Sequence, residues 1–426
     1  MERRVGNSDQ AKSKVCHEAR HIDDGTYGPR VSEGATPSAS QSSRLPVGVW
    51  VLGLVSMLMD ISSEMIHGLL PVFLTSVLGA STEIVGLIEG VGEATASISK
   101  LFSGWISDKL GKRKALTVVG YGLGALSKPL FALAPTSSLV LAARFSDRVG
   151  KGVRGAPRDA MIGDMVPSGL RGAAYGLRQS LDTVGAFAGP LIAVVLMAAL
   201  HDNFRLVFWL ALFPGLLSVL VLVFGVRESA QKATESQVSL RLGDLRTIGA
   251  TYWIIVSIGA VLTLARFSEA FLILRAQASG LSLALAPLVL VVMNIVYALC
   301  AYPLGALSDR IDRKHLLAIG FAVLIVADVI LAVAPDLPTV MVGVAVWGLH
   351  MGMTQGLLAA LVADEAPQNL RATAFGVFNF VSGIALLLAS LTAGTLWDIA
   401  GPYATFMAGA VFTATGLVGT ALFLRR

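Results

Sequence analysis

Ionisable side chains recur inside stretches of this sequence that are otherwise apolar, and their spacing is helical. Asp60, Glu64 and His67 stand at i, i+4 and i+7, on one face of a helix. Glu89 and Glu93 repeat the four-residue step, and Arg144, Asp147, Arg148, Lys151, Arg154 and Arg158 run down another stretch. Arg178 and Asp182 are again four apart, and Lys128 stands alone; in the second half Arg266 and Glu269 form the densest group, with Asp328 and His350 isolated. A carboxylate within reach of an arginine can alternate between a protonated and a paired state, the chemistry that proton coupling requires. Asp60, Glu64 and Arg148, near the middle of their stretches, are the candidates for that role. The competing reading is interhelical salt bridging, which suits Arg178 with Asp182 and extends to Glu89 and Glu93. Arg144, Arg148, Lys151 and Arg158 form a basic row. Either it receives an anionic or zwitterionic solute, or it neutralises the acidic stretches. Arg266 and Glu269 offer a second pair of contacts. His67, beside Gly68 and Pro71, reads equally as a side chain bonded to backbone at a helix break.

The elements that carry these charges are membrane spans. The chain has 426 residues, 54% of them hydrophobic and 14% charged, with a mean hydropathy of +0.71; a soluble domain carries about 25% charged residues. Apolar stretches long enough to cross about 30 Å of hydrocarbon recur along the whole chain. The spacing predicts twelve spans, near 48–78, 83–106, 115–134, 138–163, 172–199, 205–226, 250–275, 284–306, 316–334, 339–363, 372–396 and 403–424. Helices satisfy their own backbone in lipid, and the short alternating segments of a barrel are not seen. A charge facing lipid at mid-depth costs about 2.5–3.5 kcal/mol, so four on one helix cost on the order of 10 kcal/mol. These charges must therefore face protein or a water-filled cavity.

Basic residues fix the expected orientation. Lys109, Lys112, Arg113 and Lys114 follow the second span, Arg310, Arg313 and Lys314 follow the eighth, and Arg171, Arg371 and Arg425–Arg426 fall on the same side. The positive-inside rule then makes both termini cytoplasmic. The pI near 9.3 comes from such loops, a topology pattern rather than a nucleic-acid-binding face. Residues 1–46 are polar and lack the apolar core of a signal peptide, so a disordered cytoplasmic tail is expected. A polar linker over 227–248 divides the rest into segments 47–226 and 249–426, which repeat: Pro167 to Arg171 recurs as Pro367 to Arg371, and Gly104 and Asp108 recur as Gly305 and Asp309. Duplicated halves are the organisation of many secondary transporters.

With these motifs the sequence resembles the major facilitator superfamily. Gly104-Trp-Ile-Ser-Asp108-Lys-Leu-Gly111-Lys-Arg113-Lys114 looks like that family's loop signature between spans two and three, and Gly305 to Lys314, with Asp309 and Arg313, looks like its second copy, Asp312 standing where the first has Gly111. Arg148 with Gly152 is similar to its fourth-span motif, with Lys151 where glutamine is common, and Gly185-x-x-x-Gly189-Pro190 resembles its antiporter motif without the glycines that follow. The resemblance implies two pseudo-symmetric six-helix bundles that rock about a central site by alternating access. By itself, Asp108 at a helix end among glycines can latch one conformer through the next helix's backbone or Arg113, or the basic cluster can simply set topology. Gly185 and Gly189 also have the small-residue spacing of close helix packing.

The expected function is therefore secondary active transport of a small solute across an inner membrane, proton-coupled, with efflux ahead of uptake. The alternatives are symport of an anionic or chelated solute and a transporter-like receptor or sensor. An enzyme is not expected: there is no His-Glu-x-x-His pair, Gly280 to Ala284 fails the nucleophile-elbow pattern, and Gly150 to Gly155 lacks the strand and lysine–hydroxyl pair of a P-loop. No metal or cofactor is expected, and with no ATP-binding domain the proton gradient is the expected energy source. Cys16 and Cys300 suggest no disulfide framework. The expected partners are the solute and the bilayer, not nucleic acid, and a monomer carries the whole pathway.

Overall fold

The computed structural model of the chain describes residues 45–110, 112–167, 170–226, 249–308, 311, 313–365 and 371–424. They form α1 (Val47–His67), α2 (Leu70–Val72), α3 (Thr82–Leu110), α4 (Arg113–Leu133), α5 (Ser137–Met165), α6 (Arg171–Ala199) and α7 (Phe204–Gly225) in the first half. The second half supplies α8 (Ala250–Ala265), α9 (Ala270–Ala278), α10 (Leu288–Ser308), α11 (Arg313–Val333), α12 (Leu337–Glu365) and α13 (Arg371–Leu424). Nine helical segments among the described residues are long and apolar enough to cross a membrane. α3 and α5 have the length but not the apolarity, because charges are spread along both, Glu83, Glu89, Glu93 and Lys100 on α3 and Arg144 to Arg158 on α5.

Four expected spans differ in detail. The first is interrupted at Gly68–Leu69, where Pro71 starts a new turn and Phe73–Val77 continues as a π-helix. The seventh breaks between Ala265 and Ala270, so Arg266 and Glu269 sit in the gap between α8 and α9 and not on a helical face. The last two spans run together as α13, bent at Gly401, whose φ of 77° suits a residue without a Cβ, and at Pro402.

In the first half α1 packs on α6 and α7, α5 packs on α3 and α4, and α4 packs on α7; in the second α12 packs on α10 and α11, and α13 packs on α8 and α11. The halves meet where α3 lies along α13, α6 against α10, and α2 against α9. Each half carries its own aromatic core. Phe73, Phe131, Phe204 and Phe208 interlock in the first, and Phe267, Phe271, Trp347, Trp397 and Phe406 in the second.

The α1–α6 contact depends on missing side chains. A Cβ at Gly185 would lie 2.8 Å from the Met57 carbonyl oxygen, and one at Gly189 would lie 2.7 Å from Glu64 Cβ and 2.8 Å from the Ile61 carbonyl oxygen. These are backbone approaches that cannot yield without parting the helices. Gly189→Val is expected to lower stability by about 1–3 kcal/mol, the usual cost of overpacking, read as a drop in melting temperature of the detergent-solubilised protein. An unchanged melting temperature would show that α1 and α6 are not held in this contact.

Candidate functional site

The charges on α1, α3, α4 and α5 form one connected network. On α5, Arg144 bonds Glu89 of α3 at 2.5 Å, and Arg148 bonds Glu93 at 3.2 Å. Gly92 lies between these acids, and a Cβ there would come within 3.1 Å of Arg144 Cγ, so the glycine leaves the two arginine stems their passage. Glu89 continues to His67 Nε2 at 3.7 Å, and His67 Nδ1 to Glu64 at 3.4 Å. On the other side Arg148 approaches Asp147, which accepts from Lys128 of α4 at 2.7 Å; Lys128 also donates to Ser63 of α1 at 3.0 Å. Arg144, Asp147, Arg148 and Lys128 are all at most 3% exposed. Charges this deep persist only when matched, and here each has an opposite charge within reach.

Further along α5 the charges meet a cavity of about 460 Å³, within the range of small-molecule sites. Asp60 and Glu64 line it, as do Arg154, Arg158 and Arg178. Arg154 lies 3.8 Å from Asp60 and over the Tyr121 ring at 4.9 Å. Arg158 donates to Ser56 at 2.6 Å and pairs with Asp159 at 3.0 Å. Arg178 pairs with Asp182 at 2.5 Å and reaches Asp159 at 3.8 Å. The second half contributes Asn294 and Tyr297 of α10 and Asn379 of α13.

The residues singled out from sequence are thus divided. Asp60 and Glu64 face the cavity, whereas Arg144 and Arg148 are turned away into α3; Arg154, not Arg148, is the guanidinium beside Asp60. Arg178 and Asp182 bond as the four-residue spacing suggests, yet they also line the cavity. Glu269 is within electrostatic range of His67, Glu64 and Glu93, so the gap between α8 and α9 presents a carboxylate to the first-half network, with Arg266 close to it. Arg266 is also near Tyr297. Asn294, Tyr297, Asn379 and Lys100 carry little signal in sequence: three are neutral polar residues in apolar spans, and the fourth is a lone lysine inside α3.

Elsewhere, Asp328 of α11 is fully buried against Gly409 and Phe267, and neither of its oxygens has a hydrogen-bond partner among the described residues. His350 of α12 is fully buried and bonds through Nδ1 to the Gly320 carbonyl at 2.8 Å. Arg113, at the start of α4, pairs with Asp164 near the end of α5. The surroundings of Gly104 and the side chains of Asp108 and Arg313, together with Gly111 and Asp309, lie outside the described residues.

At the end of the helices away from the start of α1, the halves are fastened together. The Asp398 carboxylate of α13 accepts from the backbone N–H groups of Thr82 at 3.0 Å and Glu83 at 2.8 Å, and from the Thr82 hydroxyl at 2.5 Å. It thus caps the first turn of α3 from the opposite half, where an anion is favoured by the free N–H groups and the helix dipole. Gln277 of α9 donates to Ser76 at 2.9 Å beside it.

Comparison with known proteins gives a consistent picture. A family model described as Major Facilitator Superfamily matches residues 52–275 and 253–426. The chain is 34% identical over 391 residues to an uncharacterised MFS-type transporter of Methanocaldococcus jannaschii, covering 90% of this chain and 96% of that one. A shorter similarity, 36% over 119 residues and 28% of each chain, is to the multidrug efflux pump Tap of Mycobacterium tuberculosis. Among solved structures, the nucleoside transporter NupG aligns with a TM-score of 0.73 at 14% identity, over 88% of this chain and 99% of that one. A bacterial homologue of the human lysosomal transporter Spinster, inward-facing and occupied, aligns at 0.71 and 17%, over 88% and 96%.

Proposed function

Because the chain belongs to the major facilitator superfamily, a family of membrane transporters, we propose that it is a proton-coupled secondary transporter that exports a small solute across an inner membrane by alternating access. The observation that carries this reading is the charged cavity lined by residues of both halves, which the Asp398 cap fastens together at the start of α3. Such a cavity is what a solute occupies before the halves rock and the cap parts. Twelve crossings follow when α3 and α5 are counted with the nine apolar segments and α13 is counted as two around Gly401. They form bundles 47–226 and 249–426, with a cytoplasmic linker at 227–248 and a cytoplasmic tail at 1–46, and each monomer holds a complete pathway. Export is favoured over uptake by the Gly185-x-x-x-Gly189-Pro190 segment and by the local similarity to an efflux pump.

Asp60 and Glu64 are the proton carriers in this reading. Both are carboxylates that line the cavity, and each has a basic group within 4 Å, Arg154 for one and His67 for the other. Arg266 and Glu269 answer them from the second half. The test uses proteoliposomes containing the purified protein, with proton uptake or release followed by an internal pH dye while candidate solutes are added. Glu64→Gln and Asp60→Asn are expected to abolish solute-driven proton movement and to leave solute exchange at equal pH within a few-fold. Proton movement that survives in the double variant would remove these two residues from the coupling. A solute that binds without crossing would instead favour a receptor.

A further inference from the structure

We infer that the cavity is built for an organic anion, gripped by Lys100 and Lys151 and completed by neutral contacts from the second half. This rests on the transporter reading above and adds the chemical class of the solute. Every arginine that lines the cavity already has a carboxylate at 4 Å or less: Asp60 for Arg154, Asp159 for Arg158 and Asp182 for Arg178. Glu64 is taken up by His67. Lys100 and Lys151 also line the cavity, are exposed to it, and have no ion pair among the described residues. Asp60, Glu64 and Glu93 lie within electrostatic range of Lys151, and Asp159 within that of Lys100, but each is nearer to another basic group: Arg154, His67, Arg148 and Arg158. The two ammonium groups are therefore the uncommitted charges of the site.

An entering anion would replace the water around both amines without breaking an existing pair, whereas a cation would meet them with every carboxylate in use. Ammonium groups bind carboxylate, sulfonate or phosphonate oxygens as point charges. The opposite wall is uncharged. Asn294, Asn379 and Tyr297 offer amide and phenol groups that can orient the rest of the solute by hydrogen bonds. The basic row read from sequence is thereby reduced: Arg144 and Arg148 are spent on Glu89 and Glu93, Lys151 keeps its charge free, and Lys100 joins it from α3.

The experiment compares phenylphosphonate with phenyltrimethylammonium, ligands with the same ring and opposite charge, by calorimetric titration of the detergent-purified full chain. The phosphonate is expected to bind, and the ammonium compound to bind at least tenfold more weakly. Lys151→Gln and Lys100→Gln are each expected to weaken phosphonate binding about tenfold, as loss of one charged hydrogen bond implies, at a melting temperature close to that of the parent. Tighter binding of the ammonium compound, no binding of the phosphonate, or an unchanged phosphonate affinity in the Lys100→Gln/Lys151→Gln double variant would each overturn the anion site. Flux separates the two readings: phosphonate that binds through the lysines but does not cross proteoliposomes refutes transport and leaves the anion site standing.

Discussion

Replacing Arg144 by methionine is expected to prevent accumulation of folded protein, or to lower its stability by about 3–5 kcal/mol, the range found when one partner of a buried ion pair is removed. Glu89 would be left 1% exposed with a carboxylate facing only His67 at 3.7 Å. It could not turn to water, because its helix lies between α5 and α13. Removing the partner as well separates loss of the pair from loss of volume. Arg144→Met/Glu89→Leu is expected to recover most of the stability, since an apolar pair of similar size requires no desolvated charge. The measurement is the melting temperature and the monodisperse yield after extraction. Equal damage in single and double variants would mean that matching charge is not what the pair contributes to the contact between α3 and α5.

The second large effect is conformational. Asp398→Ala removes three hydrogen bonds that join the first turn of α3 to α13. With a charged acceptor each is worth about 1.5–3 kcal/mol when fully desolvated, and less at this exposed position. A net change near 3 kcal/mol would shift the balance between conformers by about a hundredfold. Spin labels at Ser76 and Gln277, which are hydrogen-bonded to each other at 2.9 Å, report it directly. The parent should show a short distance and Asp398→Ala a long one. Asp398→Asn should fall between, because an amide oxygen still accepts but carries no charge to meet the helix dipole. A short distance in all three would show that the aromatic and glycine contacts close this end without the cap.

Much of this arrangement is legible in the sequence because lipid leaves the chain few choices. Apolar length marks the spans, and the cost of exposing charge forces Asp60, Glu64, Arg144 and Arg148 inward. Periodicity says which residues share a face, and Asp60 and Glu64 do face one cavity. It does not say which face of a neighbouring helix they meet. Helix rotation and register set that, which is why Arg154 and not Arg148 stands beside Asp60. The gap at Arg266–Glu269 has no proline or glycine to announce it, and two charges three apart look like neighbours on one face of an unbroken helix. Asp398 looks like an ordinary residue near a helix end until α3 is seen beneath it, 316 positions away in sequence. Long-range capping has no local signature.

The concentration of charge in α5 also bears on how the chain reaches its membrane. Arg144, Asp147, Arg148, Lys151, Arg154 and Arg158 leave this helix outside the set apolar enough to cross by length and composition, so it gains nothing by partitioning into lipid alone. Two of its arginines become acceptable beside Glu89 and Glu93, and Asp147 beside Lys128. Those partners lie on α3 and α4, which are synthesised earlier. The charges of α5 are thus matched only once α3, α4 and α5 stand together, and the three are expected to settle in the bilayer as one unit.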